Sequence, residues 1–155
     1  MAQLLYGDRI GKTAKLRIGC TAVVFDARGE QVLLTQRTDN GRWCLPGGGM
    51  DPGESAVEAC VREVWEETGL AVQVERLLGV YSTPDRISVY ADGNRWQNVG
   101  LVFVARITGG ALGLSSETLA AGFYPPAVAQ MMDVFEHHLQ YIQDALSAQP
   151  AAFLG

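Results

Sequence analysis

Residues 45–70 read LPGGGMDPGESAVEACVREVWEETGL, and this segment constrains the chain more than any other. Three consecutive glycines follow Leu45 and Pro46, where they add nothing to a core but let backbone amides and carbonyls approach a partner closely. Ser55 followed three residues later by Glu58 predicts a capping box, and Gly69 is the residue type that accepts the left-handed turn ending a helix. A helix over 55–68 is therefore marked at both ends. Asp51 and Glu54 precede it, and Glu58, Glu63, Glu66 and Glu67 lie within it.

At about 100° per residue, Val57, Cys60, Val61, Val64 and Thr68 are expected on one buried arc, with Glu63, Glu66 and Glu67 on the opposite, polar one. Glu63 and Glu67 stand four residues apart, so their side chains meet and repel. On an ordinary solvated face, water and an Arg62 paired to Glu58 or Glu66 would offset that repulsion. A hard divalent cation would reverse its sign. Mg²⁺ takes oxygen ligands, commonly one or two carboxylates plus substrate phosphates, and oxygen-only donors point to Mg²⁺ or Mn²⁺ rather than zinc.

The remaining sequence frames this segment. A length of 155 residues fits one domain around one core, with 1–14 as an N-terminal arm. The net charge of -5 argues against sequence-independent nucleic-acid binding, which needs Lys and Arg to displace counterions. Cys20, Cys44 and Cys60 form no Cys-x-x-Cys pair, so small buried thiols are expected rather than a disulfide framework or a zinc site. No stretch has signal-peptide character or membrane-spanning length, which makes the cytoplasm the default expectation.

Residues 16–25 and 31–36 are rich in branched apolar side chains and flank the turn sequence DARGE, predicting a hairpin. Strands are expected at 71–82 and 96–107. Val128, Met131, Phe135, Leu139, Ile142 and Leu146 recur at helical spacing and predict a C-terminal helix over 126–148.

The fixed positions Gly48, Glu54, Arg62, Glu63, Val64, Glu66, Glu67, Gly69 and Leu70 run without a gap, and in this pattern the chain resembles the Nudix hydrolases. The motif covers 48–70, and the strand order and terminal helix around it are similar to the same family. The resemblance implies an α/β (α+β) fold, a mixed β-sheet sandwiched between helices. It also implies metal-dependent hydrolysis of a nucleoside diphosphate linked to another moiety, of the ADP-ribose or sugar-nucleotide type. A nucleoside triphosphate pyrophosphohydrolase of MutT type is the nearest alternative, and a non-catalytic nucleotide-binding module is the other. A binding module would typically have lost a box carboxylate, and none is lost here. The chain is short for an isopentenyl diphosphate isomerase, and its cysteines form no recognisable isomerase motif.

Carried over position by position, the resemblance makes Glu63, Glu66 and Glu67 ligands of Mg²⁺, for which Mn²⁺ substitutes, with the backbone carbonyl of Gly48 or Gly47 completing the shell. Arg62 would orient the glutamates and Glu54 would support it. Glu117, ahead of Gly122 and Phe123, is similar to the family's downstream acidic residue, a ligand or general base. Pro84 resembles the downstream proline of ADP-ribose pyrophosphatases, with Asp85 where those proteins have Gly.

Arg37, Arg86 and Arg95 are candidates for phosphate contact, and Tyr81, Trp96 and Tyr124 for stacking on a base, with Trp43 expected in the core. His137 and His138 are neighbours on the terminal helix and do not share a face, which speaks against a metal pair. The expected partner is a small nucleotide, with no nucleic acid and no membrane; a homodimer is left open.

Overall fold

A computed structural model describes residues 3–155, so the first two residues of the expected N-terminal arm lie outside the described residues. The elements in chain order are β1 (Gln3–Tyr6), a 3-10 turn (Ile10–Thr13), β2 (Lys15–Phe25), β3 (Val32–Arg37), β4 (Trp43–Cys44), β5 (Gly47–Gly49) and α1 (Ala56–Thr68). They continue as β6 (Leu70–Tyr81), β7 (Arg86–Val89), β8 (Arg95–Gly110), β9 (Thr118–Tyr124), α2 (Pro126–Ala129), α3 (Glu136–Leu146) and β10 (Phe153–Leu154).

The strands form one mixed sheet whose main path runs β1-β7-β8-β2-β3-β4. At its centre β2 and β8 lie parallel, Lys15 opposite Trp96 through Phe25 opposite Arg106. Strand β6 adds antiparallel to β8, β9 to β3, and the glycine strand β5 to β2. Side chains alternate across a strand. Along β2, Cys20, Ala22 and Val24 therefore pack against Ala59, Cys60 and Val64 of α1. Val23 faces the other way and joins Val102, Ala129, Tyr141 and Ile142 beneath α2 and α3. The expected mixed sheet between helices is what the chain forms.

The hairpin turn is built as its sequence suggests. Asp26 Oδ1 accepts the amides of Glu30 and Gln31, and Gly29 takes a left-handed φ of 70°. All three cysteines are free and buried. Among the described residues no helix is long and apolar enough to cross a membrane.

Two expectations fail. The C-terminal helix over 126–148 is broken into α2 and α3, because the backbone between them leaves the helix to pair with β4: Trp43 N–H donates to Asp133 O (2.8 Å) and Phe135 N–H to Trp43 O (3.1 Å). Arg42 clamps the break through Asp133, Glu136 and the Val134 carbonyl, and its guanidinium lies 4.5 Å over the Phe135 ring. Residues 3–6, expected as arm, instead form β1 on the edge strand β7. Periodicity along one segment does not register partners so distant in sequence.

Candidate active site

Helix α1 is capped at both ends by contacts within its own segment. Ser55 Oγ accepts the Glu58 amide (3.1 Å), Glu58 Oε2 accepts the Ser55 amide (2.8 Å), and Gly69 closes the helix at φ 74°. Glu58 is thus occupied by the cap. Cys60 and Val64 anchor the helix to the sheet, while Val57, expected in the buried arc, is 44% exposed.

The three carboxylates do not share a solvated face. Glu67 falls roughly 20° from Cys60 on the helical wheel, at the edge of the buried face rather than opposite it. Its Oε2 lies 3.4 Å from the Gly47 amide that donates to it. The Glu63 side chain is only 15% exposed and lies directly against Gly48. Glu66 alone is open to solvent, at 56%.

Arg62 organises this group. Its Nε and Nη2 donate to the two oxygens of Glu54, its Nη1 to Glu63 Oε1 (2.9 Å) and Glu66 Oε2 (3.2 Å), and its Nη2 also to the Gly49 carbonyl (3.1 Å). The guanidinium holds the Glu54 carboxyl down at about 2. One fork therefore joins the loop before α1, two of its glutamates and the glycine strand, the geometry for which Arg is suited and Lys is not.

Glu67 has no such partner. Burial, followed by repulsion from Glu63, pushes its carboxyl up to about 8. Burial raises Glu63 as well, opposed by Arg62. Glu67 thus lacks a paired cation, and Glu63 shares the single Arg62 guanidinium with Glu54 and Glu66, so these half-buried carboxylates outnumber the positive charge beside them, which is the electrostatic signature of a site that takes a cation.

The register of β5 decides which backbone carbonyl faces this pair. Ala22 donates to the Pro46 carbonyl and Met50 to that of Ile18, so the alternating ladder places Gly48 in a hydrogen-bonded pair with Cys20. The polar backbone atoms of Gly48 are directed at β2. Those of Gly47 and Gly49 point the other way, toward α1, as their bonds to Glu67 and Arg62 show. Of the two expected carbonyls, Gly47 is the one facing the carboxylates, and Gly48 contributes the space in which Glu63 sits.

These groups line one side of a cleft of about 580 Å³ that runs from α1 past β5 onto the α3 side of the sheet. Glu117 lies on its rim, in the turn before β9, held by the Thr38 amide on its carbonyl and by Thr118 Oγ1 donating to the Glu67 carbonyl. Arg37 and Arg86 also line it, although both oxygens of Asp39 occupy the fork of Arg37.

Other candidates are not brought there as expected. Trp96 lies outside the cleft lining, paired with Lys15 and Ser88 in the sheet. Tyr81 borders the cleft but is 9% exposed, with its hydroxyl donating to Asp144 (2.7 Å) and its ring against Tyr141, so it is a packed wall and not a stacking platform. Tyr124 packs edge-on to Trp43, and Arg95 bonds Thr13. Pro84 and Asp85 anchor the N-terminal segment: the Pro84 carbonyl accepts the Gly11 amide, and Asp85 Oδ1 accepts the amide of Arg9, which sits at a positive φ of 47°. Asp85 therefore has a structural use that glycine would not supply.

Sequence reading missed Arg17, Tyr90 and Asn98, which reach the cleft from β2, from the end of β7 and from β8. It also gave the histidines no use. His138 Nδ1 accepts the Leu45 amide (2.9 Å), anchoring the residue before the glycine strand, while His137 lines the cleft and burial lowers its pKa to about 3. Their placement follows from the break before α3, which no local signal announces.

The donor set tests whether a metal fits. Among the described residues no three His, Cys, Asp or Glu side chains converge into a ready-made cage. The buried, undercompensated Glu63 and Glu67 and the inward Gly47 carbonyl instead form a partial, oxygen-only shell open to a cleft, which suits a hard cation that also takes substrate phosphates and water.

Residues 15–145 match the NUDIX domain family. The chain is 40% identical over 97 residues to the ADP-ribose pyrophosphatase of Methanocaldococcus jannaschii, covering 61% of this chain and 54% of that protein. It is 44% identical over 109 residues to the human 8-oxo-dGDP phosphatase NUDT18, covering 66% of this chain and 30% of that one. The chain thus spans about half or less of these curated relatives. The NUDIX domain of Shewanella oneidensis NrtR, solved in complex with ADP ribose, superposes with a TM-score of 0.65 at 25% identity, covering 86% of this chain and 89% of that one.

Proposed function

This chain belongs to the NUDIX domain family, and on that footing we propose that it hydrolyses, with a divalent cation, the diphosphate linkage of a nucleoside diphosphate joined to another moiety such as ribose or a sugar. The observation that carries this reading is the undercompensated pair Glu63 and Glu67 beside the inward Gly47 carbonyl, on the wall of a cleft that also presents arginines. Glu63, Glu67, the exposed Glu66 and the Gly47 carbonyl would hold the cation; Mg²⁺ would suit these oxygen donors, and Mn²⁺ would substitute. The bound cation supplies charge neutralisation for the diphosphate and acidifies water.

The chain's own residues do the positioning. Arg62 fixes Glu63 relative to the glycine strand, and Glu54 holds Arg62 in that orientation. Arg86 is placed to contact phosphate oxygens, whereas Arg37 does so only by exchanging Asp39 for the substrate. Glu117 stands on the rim of the cleft next to Glu67, is not engaged by Arg62, and takes the proton of the attacking water. The names of the relatives support a nucleotide with a diphosphate bridge, and the ADP ribose of the NrtR domain supports the linked type in particular. The 8-oxo-dGDP phosphatase supports a second reading, a nucleoside di- or triphosphate with a modified base. Three buried free thiols suit a reducing, cytoplasmic compartment.

The test is product-resolved hydrolysis of ADP-ribose, sugar nucleotides, dinucleotides and canonical and oxidised nucleoside triphosphates, each with Mg²⁺, Mn²⁺ or EDTA. Metal-dependent release of a nucleoside monophosphate from a linked diphosphate is expected. Preference for triphosphates moves the protein to the second reading, and absence of turnover on all substrates leaves a nucleotide-binding module.

A further inference from the structure

On the cleft side of the sheet three glycines stand in one row across adjacent strands: Gly49 of β5 pairs with Gly19 of β2, and Gly19 with Gly100 of β8. All three line the cleft. Gly49 has a close neighbour, since a Cβ there would come within 2.7 Å of Arg17 Nη2. On Gly100 a Cβ would make ordinary van der Waals contact with the Tyr81 carbonyl oxygen at 3.4 Å and the Tyr141 hydroxyl at 3.6 Å. Gly19 is the most open of the three. Its φ is not positive, and a Cβ there would meet nothing nearer than the Gly48 carbonyl oxygen at 4.0 Å. Glycine is a poor strand residue, and one inside a strand without a turn, bulge or close neighbour marks a place where a ligand approaches the backbone.

Gly19 and Gly100 make a shelf without side chains, roughly 5 Å across from the spacing of adjacent strands, bounded at its Gly49 end by the Arg17 guanidinium. Its chemistry suits the face of a flat ring better than a phosphate. At Gly19, β2 is paired on both edges, so the backbone N–H and C=O groups there serve the sheet and offer an anion no donor. What remains is a flat peptide surface. Polar groups stand along its edge, one row away on the same face: Arg17 donates to the Tyr90 hydroxyl (3.0 Å), and Asn98 Nδ2 donates to Ser88 Oγ (3.0 Å), leaving the Asn98 oxygen for a ring-edge donor.

Resting on the reading of the cleft as a nucleoside diphosphate site, we propose that Gly19 is a specificity-determining residue. The nucleobase lies flat on the shelf of Gly19 and Gly100 with its edge toward Asn98 and Arg17, and the diphosphate reaches back across β5 to Glu63 and Glu67. The missing side chain at Gly19 keeps the cleft deep enough for the ring.

Gly19→Val adds a β-branched side chain that a strand favours, so the variant is expected to fold with a thermal midpoint at or above that of the wild type. Gly19→Ala is the smaller step and carries the same test should the valine variant misfold. Calorimetric titrations use AMP, GMP, UMP and ribose 5-phosphate, alongside steady-state hydrolysis of the preferred nucleotide. The wild type binds at least one of the three nucleotides more tightly than ribose 5-phosphate. Gly19→Val abolishes that difference without changing affinity for ribose 5-phosphate, and raises KM at least about tenfold with kcat within about twofold. Unchanged nucleotide affinity in Gly19→Val overturns the proposal, as does a wild type that binds none of the three or binds ribose 5-phosphate equally well. Base-dependent binding that Gly19→Val removes, without hydrolysis of any substrate, supports the shelf and removes the hydrolase reading instead.

Discussion

Gly48 and Glu63 occupy the same space in turn: a Cβ on Gly48 would lie 2.5 Å from Glu63 Cδ, so the carboxylate sits where any other residue would carry its side chain. The φ of Gly48 is not positive, and alanine there is acceptable to the backbone. Gly48→Ala is therefore expected to fold, with a stability loss below about 2 kcal/mol, because the displaced atoms are the end of a flexible side chain. Metal-dependent turnover should fall by about a hundredfold or more as Glu63 is pushed from its position. Rates and thermal midpoints of the two proteins check this; wild-type turnover in Gly48→Ala would sink the placement of Glu63.

Arg62 contacts four groups through one planar fork, which a lysine cannot reproduce. Arg62→Lys keeps the charge and releases Glu54, Glu66 and the Gly49 carbonyl in some combination. The expected result is a drop in kcat of about ten- to a hundredfold with KM nearly unchanged, which is the outcome for a residue that orients the glutamates without contacting substrate. A large rise in KM at constant kcat would instead mean that Arg62 binds substrate directly.

What could be read in the sequence was local. Ser55, Glu58 and Gly69 set the limits of α1 through contacts no more than four residues long, and the helix forms where they place it. The spacing of Gly48, Arg62, Glu63 and Glu67 carried the site because one turn and one helix hold all of them. Glu67 was misplaced although the wheel itself puts it beside Cys60, at the edge of the apolar arc; what no local spacing shows is that β5 then covers that edge, and burial there altered its protonation. Arg17, Tyr90 and Asn98 were missed because only the register of β2, β7 and β8 turns them into the cleft. Trp96 and Tyr81 had the right chemistry on the wrong wall.

The break between α2 and α3 is a case of tertiary contacts overriding helical periodicity, and Arg42 is the residue that pins it. Its ion pairs to Asp133 and Glu136 are solvent-facing on the acidic side and contribute little, so most of its effect comes from the Val134 carbonyl and the Phe135 ring. Arg42→Ala should cost about 1–2 kcal/mol in denaturant unfolding. His138 reaches Leu45 from the same α3, so turnover should fall modestly, by less than about tenfold, as the strand before the glycines loosens. No change in stability would show that the break is held by Trp43 alone.

Glu67 gives the metal-free protein a pH dependence of definite sign. Its carboxyl is pushed from the ordinary 4.5 up to about 8 in the fold, so between those values the native state holds a proton that the unfolded chain has released. Stability is then complete below the lower value and declines as pH rises toward the upper one, by an amount on the order of 1–3 kcal/mol. In EDTA the thermal midpoint should fall between about pH 5.5 and pH 8.5, and Glu67→Gln, which has no charge to bury, should flatten that decline. Mg²⁺ binds the ionised carboxylate, so it should raise the wild-type midpoint more at the higher pH and have little effect on Glu67→Gln. The same variant should lose metal-dependent turnover by about a hundredfold or more. Full turnover in Glu67→Gln, or an equal Mg²⁺ response at both pH values, would remove Glu67 from the cation site, leaving its burial without a functional account.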